Sequence, residues 1–91
     1  MVHKVKFNKD TSTEFYGKDD AFDMLFLRTR EIYLNDLLRT QGYVYLNYIY
    51  ETLGLCWNPK WENSCILYNN IDGIIFKTCK VKNGYDVTIT W

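Results

Sequence analysis

The 91 residues are enough for one domain, spanning 1–91, and a hydrophobic content of 47% is too high for a disordered chain. Eleven basic residues balance eleven acidic ones. This balance excludes binding to nucleic acid through a large overall positive charge, although it is compatible with a local basic face. Aromatic residues reach 18%, and large rings suit either a small core or a binding surface.

The cysteines and the N-terminus indicate the compartment. Cys56, Cys65 and Cys79 are an odd number, which does not fit the paired cysteines of a secreted disulfide framework. The first residues lack the apolar stretch of a signal peptide, and no segment approaches the roughly 20 apolar residues that span a bilayer. We expect a cytoplasmic protein with reduced thiols and no membrane contact.

The first half of the chain predicts a strand and a long helix. Residues 2–7 alternate as a strand does, and residues 8–17 are polar and predict a loop. A helix is predicted over 21–40, a segment without glycine or proline. Asp19-Asp20 is suited to cap its N-terminus, and Gly42 is suited to end it.

Two neighbouring apolar stripes run along this helix. The first holds Phe22, Phe26, Tyr33 and Leu37, and the second holds Leu27, Leu34 and Leu38. Asp23 and Arg30 fall between the stripes, so we expect their charged ends to reach solvent or to pair at the margin. A helix with this much apolar surface is predicted to be the central packing element.

Shorter elements follow the helix. Tyr43–Tyr45 predicts an extended link, and residues 46–53 predict a second, short helix with apolar residues at i, i+3, i+4 and i+7. A proline-containing loop covers residues 56–64. Residues 65–68 predict a short strand, and Asn69-Asn70 predicts a turn.

The C-terminal segment predicts a β-hairpin, in which runs 74–81 and 85–91 flank Lys82-Asn83-Gly84. We favour a three-residue loop with Gly84 in the left-handed region, because the hairpin then keeps one apolar face. This register pairs Val81 with Tyr85, Cys79 with Val87, Ile75 with Trp91, Lys80 with Asp86 and Thr78 with Thr88. The whole chain predicts an α+β fold, with one long and one short helix packed on a small antiparallel sheet.

The residue types that carry catalysis do not form a motif here. The cysteines are separated by eight and thirteen residues, whereas structural zinc sites draw on ligands about two to four residues apart. Phosphate-binding glycine loops, nucleophile elbows and HExxH motifs do not occur in the sequence. We expect no metal, no cofactor and no catalytic residue, and we predict that the protein is not an enzyme. A metal or thiol enzyme that uses the three cysteines with His3 is the alternative.

Aromatic residues predict a protein-binding site. Four tyrosines occupy the eight positions 43–50, and two tryptophans lie in the loop that follows. Tyrosine and tryptophan are enriched at the energetic centres of protein interfaces. The predicted site consists of Tyr43, Tyr45, Tyr48, Trp57 and Trp61. The alternative is that these rings close a core that is too small without them.

Lysines on two predicted strands give a second binding hypothesis. They are Lys4 and Lys6 on the first strand and Lys77, Lys80 and Lys82 on the hairpin. If the strands are neighbours, these side chains form a basic strip for nucleic acid, with Phe76 as a ring on which a base stacks. The alternative is that edge-strand lysines simply discourage aggregation.

The segment Gly42–Leu55 resembles small bacteriophage and prophage proteins to which no activity is assigned. It contains their Gly-x-Val-x-Leu pattern and a Tyr-x-x-Leu-Gly-Leu ending. The resemblance extends over roughly 21–91, with Trp61 as the loop tryptophan and Asn83-Gly84-Tyr85 as the hairpin turn. The sequence departs from that pattern after the loop, where residues 66–68 replace a Gly-Trp step.

This resemblance implies a phage-type protein that acts by binding. Compact phage proteins of this size act as inhibitors of host defence, of the anti-CRISPR kind, or as virion accessories, and the analogy extends to this chain as an expectation. The expected partner is a host or phage protein, with nucleic acid as the alternative. A small sheet with an open edge also makes a homodimer a reasonable expectation.

Overall fold

The computed structural model describes residues 2–12, 15–17, 19–68 and 73–91. The predicted turn at Asn69-Asn70 lies outside these residues. The strands are β1 (Val2–Asn8), β2 (Tyr43–Tyr45), β3 (Cys65–Leu67), β4 (Ile75–Val81) and β5 (Gly84–Thr90), and the helices are α1 (Asp20–Gln41), α2 (Leu46–Thr52) and a 3-10 helix at Pro59–Trp61. The prediction of an α+β fold with one long and one short helix is confirmed.

The strands form two antiparallel sheets. One has three strands in the order β1-β5-β4, and the other is a ribbon of β2 and β3. In the larger sheet α1 covers the face that carries Phe7, Val87 and Ile89, which are fully buried. The opposite face of this sheet carries exposed side chains from β1 and β4, so the fold covers the sheet on one side only.

Helix α1 begins and ends within one residue of the predicted span 21–40. The Asp19 carboxylate accepts hydrogen bonds from the backbone N–H groups of Ala21 and Phe22, at 3.0 and 3.4 Å. Gly42 has φ +86°, and its N–H donates to the carbonyl of Leu38 at 2.8 Å. Both ends of the helix are therefore capped by residues whose chemistry suits the task.

The helix buries one of its two apolar stripes more deeply than the other. Leu27, Leu34 and Leu38 are buried, whereas Phe22 and Tyr33 of the first stripe are exposed. The expectation that Asp23 reaches solvent is wrong, because its side chain is fully buried. A segment of the preceding loop folds over the first turn of α1, and the N–H of Gly17 donates to Asp23 Oδ1 at 2.8 Å.

The predicted hairpin register is wrong by one residue on β4. The loop is Lys82-Asn83, Val81 lies opposite Gly84, and Phe76 lies opposite Ile89. Phe76 is the large apolar side chain of β4, so its burial under α1 outweighs that of Val81 and Ile75, which are exposed. Gly84 is the first residue of β5 and not part of the loop. A Cβ at this position would lie 2.4 Å from the carbonyl oxygen of Phe7 on β1.

The corrected register changes the partners of two hairpin residues. Lys80 lies opposite Tyr85 rather than Asp86, and its ammonium group forms a salt bridge with Asp20 at the start of α1. Cys79 lies opposite Asp86 rather than Val87, on the uncovered face of the sheet, and is exposed. The side chains of β4 that face α1 are Phe76, Thr78 and Lys80.

Candidate protein-binding surface

The β2–β3 ribbon has one buried and one exposed face. Val44 and Ile66 are paired and point into the core, where they are 0% and 1% exposed. Side chains alternate along a strand, so their neighbours point outward. The outward pairs are Tyr43 with Leu67 and Tyr45 with Cys65. Tyr43, Tyr45 and Leu67 are 42%, 48% and 54% exposed, and the two tyrosine rings contact edge to face with centroids 5.6 Å apart.

A groove of about 430 Å³ lies beside this ribbon. The ribbon contributes Tyr45, α2 contributes Tyr48, and the loop after α2 contributes Trp57, which is 56% exposed. We call this hollow the aromatic groove; its lining residues are Tyr45, Asn47, Tyr48, Glu51, Trp57, Glu62 and Asn63. We call the exposed set Tyr43, Tyr45, Trp57 and Leu67 the aromatic surface. The two features share Tyr45 and Trp57 and are therefore continuous.

The loop that carries Trp57 is held by a buried asparagine of α2. Asn47 is 5% exposed; its Nδ2 donates to the carbonyl of Asn58 at 2.9 Å, and its Oδ1 accepts from the N–H of Asn58 at 3.0 Å. Asn58 in turn caps the 3-10 helix, because its Oδ1 accepts from the N–H of Lys60 at 3.0 Å. Trp57 thus directly precedes a residue whose backbone N–H and carbonyl are both hydrogen-bonded to Asn47.

Tyr48 lies at the inner wall of the groove and is half-buried. Its hydroxyl is hydrogen-bonded to that of Tyr33 on α1, with the oxygens 2.6 Å apart. This hydrogen bond, together with burial, raises the pKa of Tyr48. The bond to α1 also restrains the position of the Tyr48 ring. A fixed ring loses little conformational entropy when a partner binds.

Trp61 does not belong to this surface. Its ring contacts His3 edge to face at a centroid distance of 4.8 Å, and the Lys60 ammonium lies 5.1 Å from its centroid. His3 Nε2 is hydrogen-bonded to the hydroxyl of Tyr50. Burial first, and the Lys60 charge second, lower the pKa of His3. Trp61 is half-buried and forms a small cluster with His3 and Tyr50 at the rim of the core.

Three of the five lysines named for nucleic acid lie on the uncovered face of the larger sheet. Lys4 and Lys77 flank Thr88, and Lys6 lies in the next row beside Asp86. β5 separates β1 from β4, so the two basic strands are not direct neighbours. Their side chains border a hollow of about 370 Å³ that includes Lys4, Lys6 and Asp86.

The remaining residues of that hypothesis lie elsewhere. Lys80 belongs to the face that α1 covers, and Lys82 lies in the β4–β5 turn. Phe76, expected as a stacking ring, is half-buried on the helix side of the sheet. The uncovered face therefore offers positive charge and threonines without an aromatic ring.

The cysteines and His3 are not brought together in the part of the chain that the structure describes. The three thiols are free and exposed, and the described residues contain no group of three side chains suited to hold a metal ion. Among the same residues, no helix is both long and apolar enough to cross a membrane.

Sequence reasoning overlooked several members of the site, among them Leu67, Glu51 and Glu62. Leu67 is a strand partner of Tyr43, and the alternation of residues 65–67 was the signal that places it outward with Cys65. Glu51 and Glu62 line the aromatic groove from two different segments. Their meeting depends on how the loop folds back on α2, which no local pattern encodes.

Comparisons with protein-family models, with curated proteins and with solved structures find no match.

Proposed function

We propose that this protein acts by binding another protein through the aromatic surface. The observation that carries the proposal is the outer face of the β2–β3 ribbon, where Tyr43, Tyr45 and Leu67 stay exposed beside Trp57. Aromatic side chains on rigid backbone are the groups that most often dominate the energy of protein interfaces. Exposed apolar patches rimmed by polar residues mark interaction sites in many proteins.

The core supports this proposal because it closes without these rings. Val44 and Ile66 fill the inner face of the ribbon, and Ile49 and Leu53 behind them are 0% exposed. Tyr43, Tyr45 and Trp57 consequently add little to the burial of the core, whereas Tyr48 packs against it. This argues against the alternative that the rings serve only to complete a small core.

The resemblance of Gly42–Leu55 to phage proteins favours a bacterial host protein as the partner. On this proposal the protein occludes a surface of a host defence component, as compact phage inhibitors do, with no covalent chemistry involved. A virion accessory would use the same surface against a phage structural protein. The two differ in the identity of the captured partner.

The test compares two double variants in capture from a host lysate treated with nuclease. Tyr45→Ala with Trp57→Ala removes two rings of the aromatic surface, and we expect at least about 30-fold weaker capture of one protein. Leu25→Ala with Ile32→Ala is the matched control, because these α1 side chains are 63% and 52% exposed but lie elsewhere. Both variants should have a free energy of unfolding within about 0.5 kcal/mol of the wild-type value.

Equal capture by both double variants would contradict the proposal. Unfolding of the Tyr45/Trp57 variant would also contradict it, because that result would assign the rings to the core. Purified wild-type protein and the captured partner, mixed alone, must re-form the complex.

The uncovered basic face supports nucleic-acid binding as a second candidate function. Lys4, Lys6 and Lys77 share that face with only Asp86 as a charged neighbour of opposite sign. Binding through phosphates weakens steeply with salt, and each lost phosphate contact reduces that dependence. Lys4→Gln with Lys77→Gln should reduce the salt dependence of binding to single-stranded DNA, whereas Lys82→Gln should leave that dependence unchanged. Absence of salt-sensitive binding by the wild type removes this candidate.

A further inference from the structure

The aromatic groove combines ring faces with negative charge. Tyr45, Tyr48 and Trp57 are three of its lining residues, and the carboxylates of Glu51 and Glu62 are two more. The remaining lining residues, Asn47 and Asn63, are neutral, so the described lining carries two negative charges and no positive one. Both glutamates are exposed, which leaves their carboxylates accessible to a ligand.

Neither glutamate is neutralised within the part of the chain that the structure describes. The salt bridges found there join Arg39 to Asp36 and Lys80 to Asp20. The Arg30 guanidinium contacts a ring outside the groove lining, 4.9 Å from the centroid of Phe26. Lys60 likewise lies over the ring of Trp61, outside the groove.

We propose that the aromatic groove binds an arginine side chain of the partner protein, with its guanidinium between the rings of Tyr45 and Trp57 and facing Glu51 and Glu62. This inference rests on the proposed function, and it specifies the chemistry of the partner. A cation is attracted to the faces of indole and phenol rings, and the planar guanidinium also pairs with carboxylates through two parallel hydrogen bonds. Arginine satisfies both kinds of group at once, which lysine does less well.

Apolar and acidic partner side chains fit the groove poorly. An apolar group would remove water from Glu51 and Glu62 without replacing its hydrogen bonds, and unpaired carboxylates are costly to bury. An acidic group would add repulsion to that cost. The partner segment that enters the groove is therefore basic, although the aromatic surface beside it also accepts apolar contacts.

The experiment titrates two short peptides, acetyl-Gly-Ser-Arg-Ser-Gly-amide and its citrulline counterpart, into the isotope-labelled protein. Citrulline has nearly the shape of arginine but no charge. We expect the arginine peptide to shift the indole N–H signal of Trp57 in a saturable way, with about tenfold weaker binding of the citrulline peptide. The indole signal is assigned with Trp57→Phe.

A double variant separates the carboxylates from the rings. Glu51→Gln with Glu62→Gln keeps the shape of the groove, and it should reduce the affinity for the arginine peptide about tenfold while the citrulline peptide is unaffected. Glu31→Gln, which changes a carboxylate outside the groove, is the control and should leave both affinities unchanged.

Failure of this inference differs from failure of the proposed function. Equal binding of both peptides, shifts confined to the uncovered sheet face, or no saturable shift at Trp57 up to about 10 mM peptide would overturn the arginine site. If capture of the partner still depends on Tyr45 and Trp57 in that case, the proposed function stands without it. If the arginine peptide binds as expected but capture of the partner does not depend on Tyr45 and Trp57, the proposed function fails and the groove remains a cation site.

Discussion

Two asparagine side chains each bond both backbone groups of one distant residue. Asn35 on α1 donates its Nδ2 to the carbonyl of Ile74 at 2.8 Å and accepts from the N–H of the same residue at 2.7 Å. Asn47 makes the same pair of bonds with Asn58. The carboxamide carries one donor group and one acceptor side by side, as a backbone residue does, so neither aspartate nor leucine can replace it. These two side chains position the start of β4 and the loop that carries Trp57.

His3 gives the protein a predictable response to pH. Burial and the Lys60 charge lower the pKa of His3, so the folded protein takes up this proton less readily than the unfolded chain, whose histidine titrates near about pH 6.5. The contribution of His3 to stability is therefore complete above about pH 6.5, and it is lost as the pH falls from there through the lower pKa of the folded state. Urea unfolding of the wild type and of His3→Gln, at about pH 7.5 and about pH 5, measures it.

We expect the wild type to lose more free energy of unfolding on acidification than His3→Gln. Carboxylates that titrate over the same interval are common to both proteins and cancel in the difference. An equal loss in the two proteins, or a larger loss in the variant, would contradict the assignment.

At the scale of the element, the contact between β1 and β5 depends on Gly84. Its φ is +154°, and a Cβ there would lie 2.4 Å from the carbonyl oxygen of Phe7. Gly84→Ala must separate the two strands or distort them, and we expect a loss of at least about 2 kcal/mol of unfolding free energy. Gly42 at the end of α1 is the matched control, since it also has positive φ, +86°, but a Cβ there would meet nothing within 4 Å.

Gly42→Ala should therefore cost only about 1 kcal/mol, which is the backbone term alone. Urea unfolding of the two variants gives the difference. Equal losses would show that the close approach of β1 to Gly84 adds nothing, and would contradict the account of the register.

The elements themselves were predictable from local chemistry, and their pairing was not. Asp19 and Gly42 mark the ends of α1 because capping depends on residues next to the helix. The hairpin register depends instead on which β4 side chain α1 covers and on the close approach of β1 to Gly84, and both are contacts with distant parts of the chain. The burial of Asp23 has the same origin, because it requires the loop at Gly17 to fold back.

The candidate site was predictable to the same degree. The exposed rings of Tyr43, Tyr45 and Trp57 come from a segment whose tyrosine content is visible in the sequence. Trp61 resembles Trp57 in sequence but packs on His3, because β1 is brought beside the 3-10 helix by the tertiary fold. Glu51 and Glu62 line one groove only because α2 and the following loop are brought together in the tertiary fold.

For the whole molecule, the question is whether the β4 edge of the larger sheet recruits a second copy. A two-residue hairpin loop closes on a hydrogen-bonded pair, and such pairs alternate along antiparallel strands, so the backbone groups of Phe76, Thr78 and Lys80 point away from β5. Glu31 on α1 accepts from the N–H of Phe76 at 2.7 Å, one step beyond the Asn35 bonds to Ile74. Four helical residues rise about 6 Å and two strand residues about 6.6 Å. The spacing of Glu31 and Asn35 along α1 therefore matches the spacing of Phe76 and Ile74 along the β4 edge.

Helix α1 thereby shields the first half of the β4 edge from pairing with another chain. Glu31→Ala would expose the Phe76 N–H and lengthen the open edge to Phe76–Lys80, and we expect concentration-dependent dimers in sedimentation equilibrium because unpaired edges are templates for strand addition. Glu31→Gln keeps an acceptor oxygen and should behave as the wild type, with a lower tendency to associate than Glu31→Ala. Identical association by the two variants would contradict the shielding role. A wild type that is dimeric at every concentration would also contradict it, since Thr78 and Lys80 would then suffice to pair two copies.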